Sequence, residues 1–198
     1  PLIFSVRGQP CWISNSMLSV VGSRDPSLET RKWMEFHLGE FLKKSKYTLI
    51  SGGARGVDQL AHFASLRESL PTLAILPSGL GRIYPHHFSE IAENIIQFGG
   101  AILSEYPHEM PMNKGHFHHR NRLIASMGVG TLILQANKKS GTMITANHAA
   151  QLNKPVWVIP GHPVDDRFGG SLGLIADGAT IVRDALDLIM FCQAESRS

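Results

Sequence analysis

The 198-residue chain has only two cysteines, Cys11 and Cys192, far apart and without ligand-like spacing. That leaves no basis for a disulfide framework or a zinc site, and both read as reduced thiols. Charge of either sign is scarce: charged residues make up 18% of the sequence and the formal net charge is +3. So small an excess favours an anionic partner only mildly, although ten histidines add positive charge as pH falls. No apolar run approaches the ~20 residues needed to cross a bilayer. The opening Pro1-Leu2-Ile3-Phe4 lacks the charged start of a secretory signal, so a cytoplasmic protein with no membrane attachment is expected. Low-complexity segments and internal repeats are absent, and 43% hydrophobic residues exclude a wholly disordered chain. The chain does not begin with Met, which is read as the mark of a fragment of a longer protein, with residues 1–198 forming one domain.

Short apolar, β-branched runs alternate with helical patterns, which predicts an α/β fold: a mostly parallel sheet with helices on both faces. Strands are expected at 18–21, 48–50, 72–76, 101–103, 131–134 and 156–159. Helices are expected at 57–69, 88–98, 117–127, 142–152 and 185–192, and Met34, Leu38, Phe41 and Leu42 mark one apolar helical stripe between the first two strands. Residues 161–170, with Pro163, Asp165, Asp166 and no apolar periodicity, read as a surface loop.

In an open α/β sheet ligands gather at the carboxyl ends of the strands. Several motifs fall there. Gly22-Ser23-Arg24 follows the first predicted strand and offers a tight turn, a hydroxyl and a guanidinium suited to phosphate; the plain alternative is a turn with a surface arginine. Ser51-Gly52-Gly53-Ala54-Arg55-Gly56-Val57-Asp58 joins the second strand to a helix, where small residues let backbone N–H groups approach an anion beside a positive helix end. It lacks the Gly-Lys-Ser/Thr ending of a P-loop and the G-x-G-x-x-G dinucleotide spacing. Asp58 is read as a helix-dipole partner rather than a catalytic group.

The most basic stretch is Asn113-Lys114-Gly115-His116-Phe117-His118-His119-Arg120-Asn121-Arg122. Lysine and arginine for phosphates, with Phe117 as a face on which a base stacks, is the combination that single-strand binding requires; the competing reading is an amphipathic helix with solvated charges. His116, His118 and His119 lack the i, i+4 spacing of a helical metal site, and no metal or cofactor is expected. Lys138-Lys139-Ser140-Gly141-Thr142 opens another helix, either as a second anion cradle or simply as its cap.

In this order the motifs resemble the DNA-processing protein A (DprA/Smf) family over nearly the whole chain. The resemblance rests on Gly22-Ser23-Arg24, the loop 51–58 with Ala61-His62, Tyr84-Pro85 and Ser104-Glu105. It continues through Phe117-x-x-Arg120-Asn121-Arg122-x-Ile124-Ala125, Ser140-Gly141-x-x-x-Thr145-Ala146, Pro160-Gly161 and Asp177-Gly178-Ala179. The sequence departs from the family pattern at Leu172 and Gly81, and lacks the flanking helical and winged-helix domains of many members. The resemblance implies an extended Rossmann-like fold that forms a homodimer and binds single-stranded DNA. It further implies protection of incoming strands in natural transformation and help in loading the RecA recombinase, with no enzymatic turnover. On this sequence the strand would meet Ser23, Arg24, Ser51, Gly52, Gly53, Ala54, Lys114, Phe117, Arg120, Arg122, Ser140, Gly141 and Thr142, with the amides of Gly52 and Gly53 among the contacts. The alternative is a nucleotide or phosphoribosyl binding protein, or a hydrolase of the lysine-decarboxylase-like class. The Pro-Gly-Gly-x-Gly-Thr-x-x-Glu motif of those hydrolases is missing, and with it the carboxylate a general base would supply. A purely structural interaction module is the third possibility.

Overall fold

The computed structural model describes residues 3–196; Pro1 and Leu2 of the opening segment lie outside the described residues. Eight strands form one sheet in the order β1-β5-β4-β3-β2-β6-β7-β8. The strands are β1 (Ser5–Gly8), β2 (Met17–Gly22), β3 (Thr48–Ser51), β4 (Thr72–Ile75), β5 (Ala101–Ser104), β6 (Thr131–Leu134), β7 (Val156–Val158) and β8 (Thr180–Ile181). Neighbours pair in parallel except β1, which runs antiparallel along β5.

The six expected strands are all present to within a residue or so at their ends. The two strands that sequence patterning missed are the outermost ones. β1 is exposed throughout and β8 has two exposed residues, so neither carries the apolar run that marks a buried strand.

Helices α1 (Leu28–Trp33), α2 (Gly39–Lys44), α3 (Val57–Arg67), α4 (Phe88–Gln97), α5 (Lys114–Met127), α6 (Gly141–Gln151), α7 (Gly169–Ala176) and α8 (Ala185–Glu195) cover the sheet, and a π-helical turn, Met34–Leu38, joins α1 to α2. Alternation along the strands sorts them between faces. Leu18, Val20, Leu49, Leu132 and Leu134 point toward Met34, Leu38, Phe41 and Leu42 of the predicted stripe and toward α3 and α8. Val21, Ile50, Ile75, Leu103 and Ile133 point the other way, onto Leu123 and Ile124 of α5 and Ala146 of α6. Helix starts are capped by side chains: Ser27 accepts from the Thr30 amide, Asn113 from His116 and Asp184 from Asp187.

Residues 161–165 form the expected irregular segment, with His162, Pro163 and Val164 exposed, but the end of the stretch 161–170 corrects the surface-loop expectation. Phe168 is buried with its ring over Gly161, Asp166–Phe168 forms a 3₁₀ turn, and Gly169 and Gly170 open α7. One large apolar residue among turn formers gives no periodicity to read, yet it anchors the segment.

From β2 the chain builds outward through β3, β4 and β5, then crosses back to place β6 on the other side of β2. The strand ends of β2 and β6 therefore flank the topological switch point, where loops leave in opposite directions and open a crevice. Gly22 pairs with Leu134 across this point, and a Cβ at Gly22 would run into the Leu134 carbonyl oxygen. Gln135, directly after β6, takes a φ of 62° and is buried. Its Oε1 accepts from the Ser27 amide at 2.7 Å and from Thr30 Oγ1 at 2.9 Å, fixing the start of α1 to the end of β6.

Gly22→Ala is therefore expected to destabilise the fold by about 2 kcal/mol or more, above the ~1 kcal/mol of a typical substitution, because the nearest obstacle is the Leu134 backbone, which cannot turn aside as a side chain can. Urea denaturation of the variant against the parent chain measures this, and an unchanged midpoint would show that β2 and β6 are less tightly apposed.

Candidate nucleic-acid interface

The loops after β2, β3, β5 and β6 meet at one end of the sheet. Backbone contacts make the first two a single unit. The Ser23 amide donates to Leu134 O at 3.3 Å, while Ser23 O accepts from the Val57 amide at the start of α3 at 3.0 Å. Gly56, at φ 88°, lies so close to the Ser23 and Arg24 carbonyls that any Cβ would collide with them. The Ser23 hydroxyl accepts from the Asp25 amide at 3.1 Å, which shapes the turn presenting Arg24.

The glycine-rich loop is closed from inside. Asp58 is buried, and its Oδ2 accepts the Gly52 amide at 3.2 Å and the Ala54 amide at 3.3 Å. Beneath the loop lies Arg120, only 3% exposed, whose Nη1 donates to Ile75 O at 2.8 Å and whose guanidinium fills the space a Gly52 side chain would need. Burial drives the Asp58 carboxyl above the usual carboxylate range, opposed chiefly by the Arg120 charge. Burial likewise lowers Arg120 to about 10, with Asp58 pulling the other way. The two charges moderate each other without forming an ion pair. His62, one turn further along α3, is fully buried; Thr72 Oγ1 donates to Leu49 O at 2.9 Å and so accepts from His62 Nδ1–H at 2.8 Å. Burial, helped by Arg120, depresses its pKa to about 3, so it is neutral.

The residues singled out from sequence thus separate into an inner and an outer set. Ser51 donates its hydroxyl to Val20 O at 2.7 Å, Thr142 donates to Gly22 O at 3.0 Å, and the Gly52 amide belongs to Asp58. Gly53, at φ 70°, is buried against the Phe88 ring. Arg120 corrects the expectation of a surface cation, because the Gly52 position has no side chain and draws the guanidinium inward. Arg122 reaches the Glu105 carboxylate, whose side chain is 9% exposed. Asp58 is a clasp for the loop as well as a residue at a helix start.

The outer set holds Arg24, Lys114 and Phe117, with Gly141 at the start of α6. Arg24 is exposed and its guanidinium lies 5.4 Å from the Phe117 ring centre, while Tyr84 meets Phe117 edge-on at 5.8 Å. Lys114 is exposed in the first turn of α5, where the helix dipole disfavours a cation, so the helix itself gains nothing from it. Ser140 occupies the N-cap position of α6 without a side-chain cap bond, but its hydroxyl is buried, which corrects the expectation that it meets a strand; Gly141 is exposed. The basic stretch is otherwise largely occupied: Asn113 caps α5, and His116 stacks on Tyr106 at 3.9 Å and meets Pro77 O at 3.0 Å.

Arg55, at the tip of the glycine loop, was not among the residues singled out. Among the described residues, Arg7, Arg31, Arg67, Arg82, Arg122, Arg167 and Arg183 all pair with carboxylates. Arg24 and Arg55 are exposed arginines without such a partner, on adjoining loops of one rim. The loop sequence places Arg55 beside the glycines, but only the ion pairs of the other arginines show that it is left without a carboxylate.

The chain matches the model of the DNA recombination-mediator protein A family over residues 1–193. It is 37% identical over 165 residues to Protein Smf of Synechocystis sp., covering 83% of this chain and 41% of that protein. It is 30% identical over 189 residues to the DNA processing protein DprA of Bacillus subtilis, covering 95% and 63%. It therefore spans about half the length of the relatives it matches. The solved structure of DNA processing protein A from Helicobacter pylori, described for its single-stranded DNA binding mode, superposes with a TM-score of 0.87 at 28% identity, covering 97% of this chain and 87% of that one.

Arg120→Ala is expected to cost about 3 kcal/mol of stability, since it strands the buried Asp58 carboxylate and empties the space under Gly52, whereas Arg24→Ala leaves stability within ~0.5 kcal/mol. Parallel denaturation curves separate the two; equal losses would place Arg120 at the surface. The His62 environment also has a pH signature. The unfolded chain takes up a proton here near pH 6.5 and the folded chain only near 3, so stability falls as pH drops from 6.5 toward 3. His62→Gln should flatten that part of the stability profile, and an unchanged slope would show His62 to be accessible to protons in the fold.

Proposed function

We propose, on the premise that this chain belongs to the DNA recombination-mediator protein A family, that it binds single-stranded DNA along the rim formed by the loops after β2, β3 and β5. The observation that carries this reading is the pair of exposed, carboxylate-free arginines, Arg24 and Arg55, beside an aromatic face. A single strand offers a regularly charged backbone and unstacked bases, and is held by cations that follow the phosphates and rings that take the bases. Arg24, Arg55 and Lys114 supply the first, and Phe117, backed by Tyr84, supplies the second. Gly141 extends the rim across the crevice. The relative from Helicobacter pylori, described for its binding of single-stranded DNA, supports the choice of ligand.

The remainder of the reading follows the family. The strand is one taken up in natural transformation, and the chain protects it and helps load the RecA recombinase onto it in the cytoplasm. Two copies act as a homodimer, and the chain works by binding rather than by turnover. Among the described residues no helix is long and apolar enough to cross a membrane. Asp58 and His62, acid–base groups near the rim, are buried and bonded within the chain, which supports a binding role.

Fluorescence anisotropy with labelled oligo-dT at several salt concentrations tests the DNA reading. Affinity should fall steeply with salt, and Arg24→Ala, Arg55→Ala and Lys114→Ala should each reduce the log–log salt slope by about 0.7 per lost phosphate contact. Phe117→Ala should cost about 1–3 kcal/mol of binding with little change in slope. Folded variants that all keep parental affinity would refute the rim as the binding surface. Sedimentation of the same samples reads the dimer, and RecA filament formation on the strand reads loading; a monomer or an unaffected filament would count against those parts alone.

A further inference from the structure

The glycine-rich loop has the parts of a phosphate cradle. It follows a strand, leads into the eleven-residue helix α3, and holds Gly53 and Gly56 at positive φ. A cation stands directly behind it: Arg120 is 3% exposed, lies against Gly52, and its buried Nε has no hydrogen-bond partner among the described residues. Loops of this kind ordinarily turn their amides to a ligand phosphate. Here a carboxylate oxygen of the chain itself sits between the amides of Gly52 and Ala54.

We infer that Asp58 is a selectivity residue. Its carboxylate holds the place of a ligand anion, so the loop refuses inorganic phosphate and mononucleotides and leaves binding to the side chains on the rim. This deepens the DNA reading and rests on it only in the last clause. The chemical reason is one of occupancy and charge. Two N–H donors converge on one oxygen acceptor, and a second anion brought to the same amides would meet both a filled position and a like charge. A strand engaged by Arg24, Arg55 and Lys114 needs none of these amides. Its affinity comes from several weak contacts along a polymer, which a single nucleotide does not provide. A short side chain at position 58 would leave the Gly52 and Ala54 amides without their acceptor.

The test uses Asp58→Ala and Asp58→Ser beside the unaltered chain. ¹H–¹⁵N spectra follow the Gly52 and Ala54 amides during titration with inorganic phosphate and then AMP, and oligo-dT affinity is measured on the same samples. The unaltered chain should show no saturable shift of these amides up to about 50 mM phosphate, a concentration at which a millimolar site would be filled. At least one variant should show such a shift, together with a melting temperature that rises with phosphate more than that of the unaltered chain. Saturable phosphate binding at these amides in the unaltered chain would overturn the inference. So would folded variants whose amides ignore phosphate, and so would two variants that stay unfolded with phosphate present, because an accepted anion would replace the missing carboxylate. Oligo-dT keeps the two readings apart: variants that gain phosphate binding while no form of the chain binds oligo-dT would uphold Asp58 as the filler of the cradle and remove the DNA reading.

Discussion

One buried carboxylate organises the strand-end face. Asp58 gathers the amides of Gly52 and Ala54, and this fixes the path of the loop that carries Arg55 outward and sets Gly56 against the Arg24 backbone. A carboxylate so far from water would be costly alone. Arg120 from α5 provides the opposing charge and is itself held by Ile75 O, so the clasp joins α3, α5 and β4. His62 completes this region in its neutral form, which spares the interior a further charge. Asp58 and Arg120 are tolerable because each offsets the other's charge, and the loop geometry depends on both.

That arrangement divides polar residues by position rather than by type. Arg120 and Arg122 stand two apart on one helix. The first turns under the glycine loop, the second meets Glu105, and Lys114 at the start of the same helix faces water. The surface able to meet an anion is therefore narrower than the basic composition of 113–122 suggests, and it draws Arg55 in from a different loop. On the far side of the switch point, Gln135 ties the start of α1 to the end of β6 and Thr142 ties α6 to the end of β2, so the crevice has firm walls.

The six inner strands were legible because each is a short apolar run inside the sheet, and most helices between them because one apolar stripe and the spacing of crossover connections mark them; α7, which opens on a glycine pair, was not. β1 and β8 were not, since exposed edge strands follow no burial pattern. Phe168 escaped notice because a single anchoring ring has no period. Among the candidate residues, Arg24, Lys114 and Phe117 are singled out from residue type and local position; Arg24 and Lys114 are exposed and Phe117 is half-buried. Ser51, Gly52 and Thr142 were found by the same reasoning and proved to be spent within the chain. A hydroxyl or amide in a glycine-rich loop looks the same in sequence whether its partner is a ligand or a neighbouring strand.

Sequence by itself determined the α/β class, the parallel inner sheet, the strand-end location of the motifs and the family, because these follow from periodicity and from runs of residues that are local in the chain. Tertiary structure alone decided which polar groups are free. Asp58 meets its amides within six residues, but Arg120 reaches Ile75 and Thr142 reaches Gly22 across 45 and 120 positions. Hydrogen-bond partners so distant in the chain are brought together only when the sheet closes, and they settle whether an arginine becomes part of the core or part of the rim.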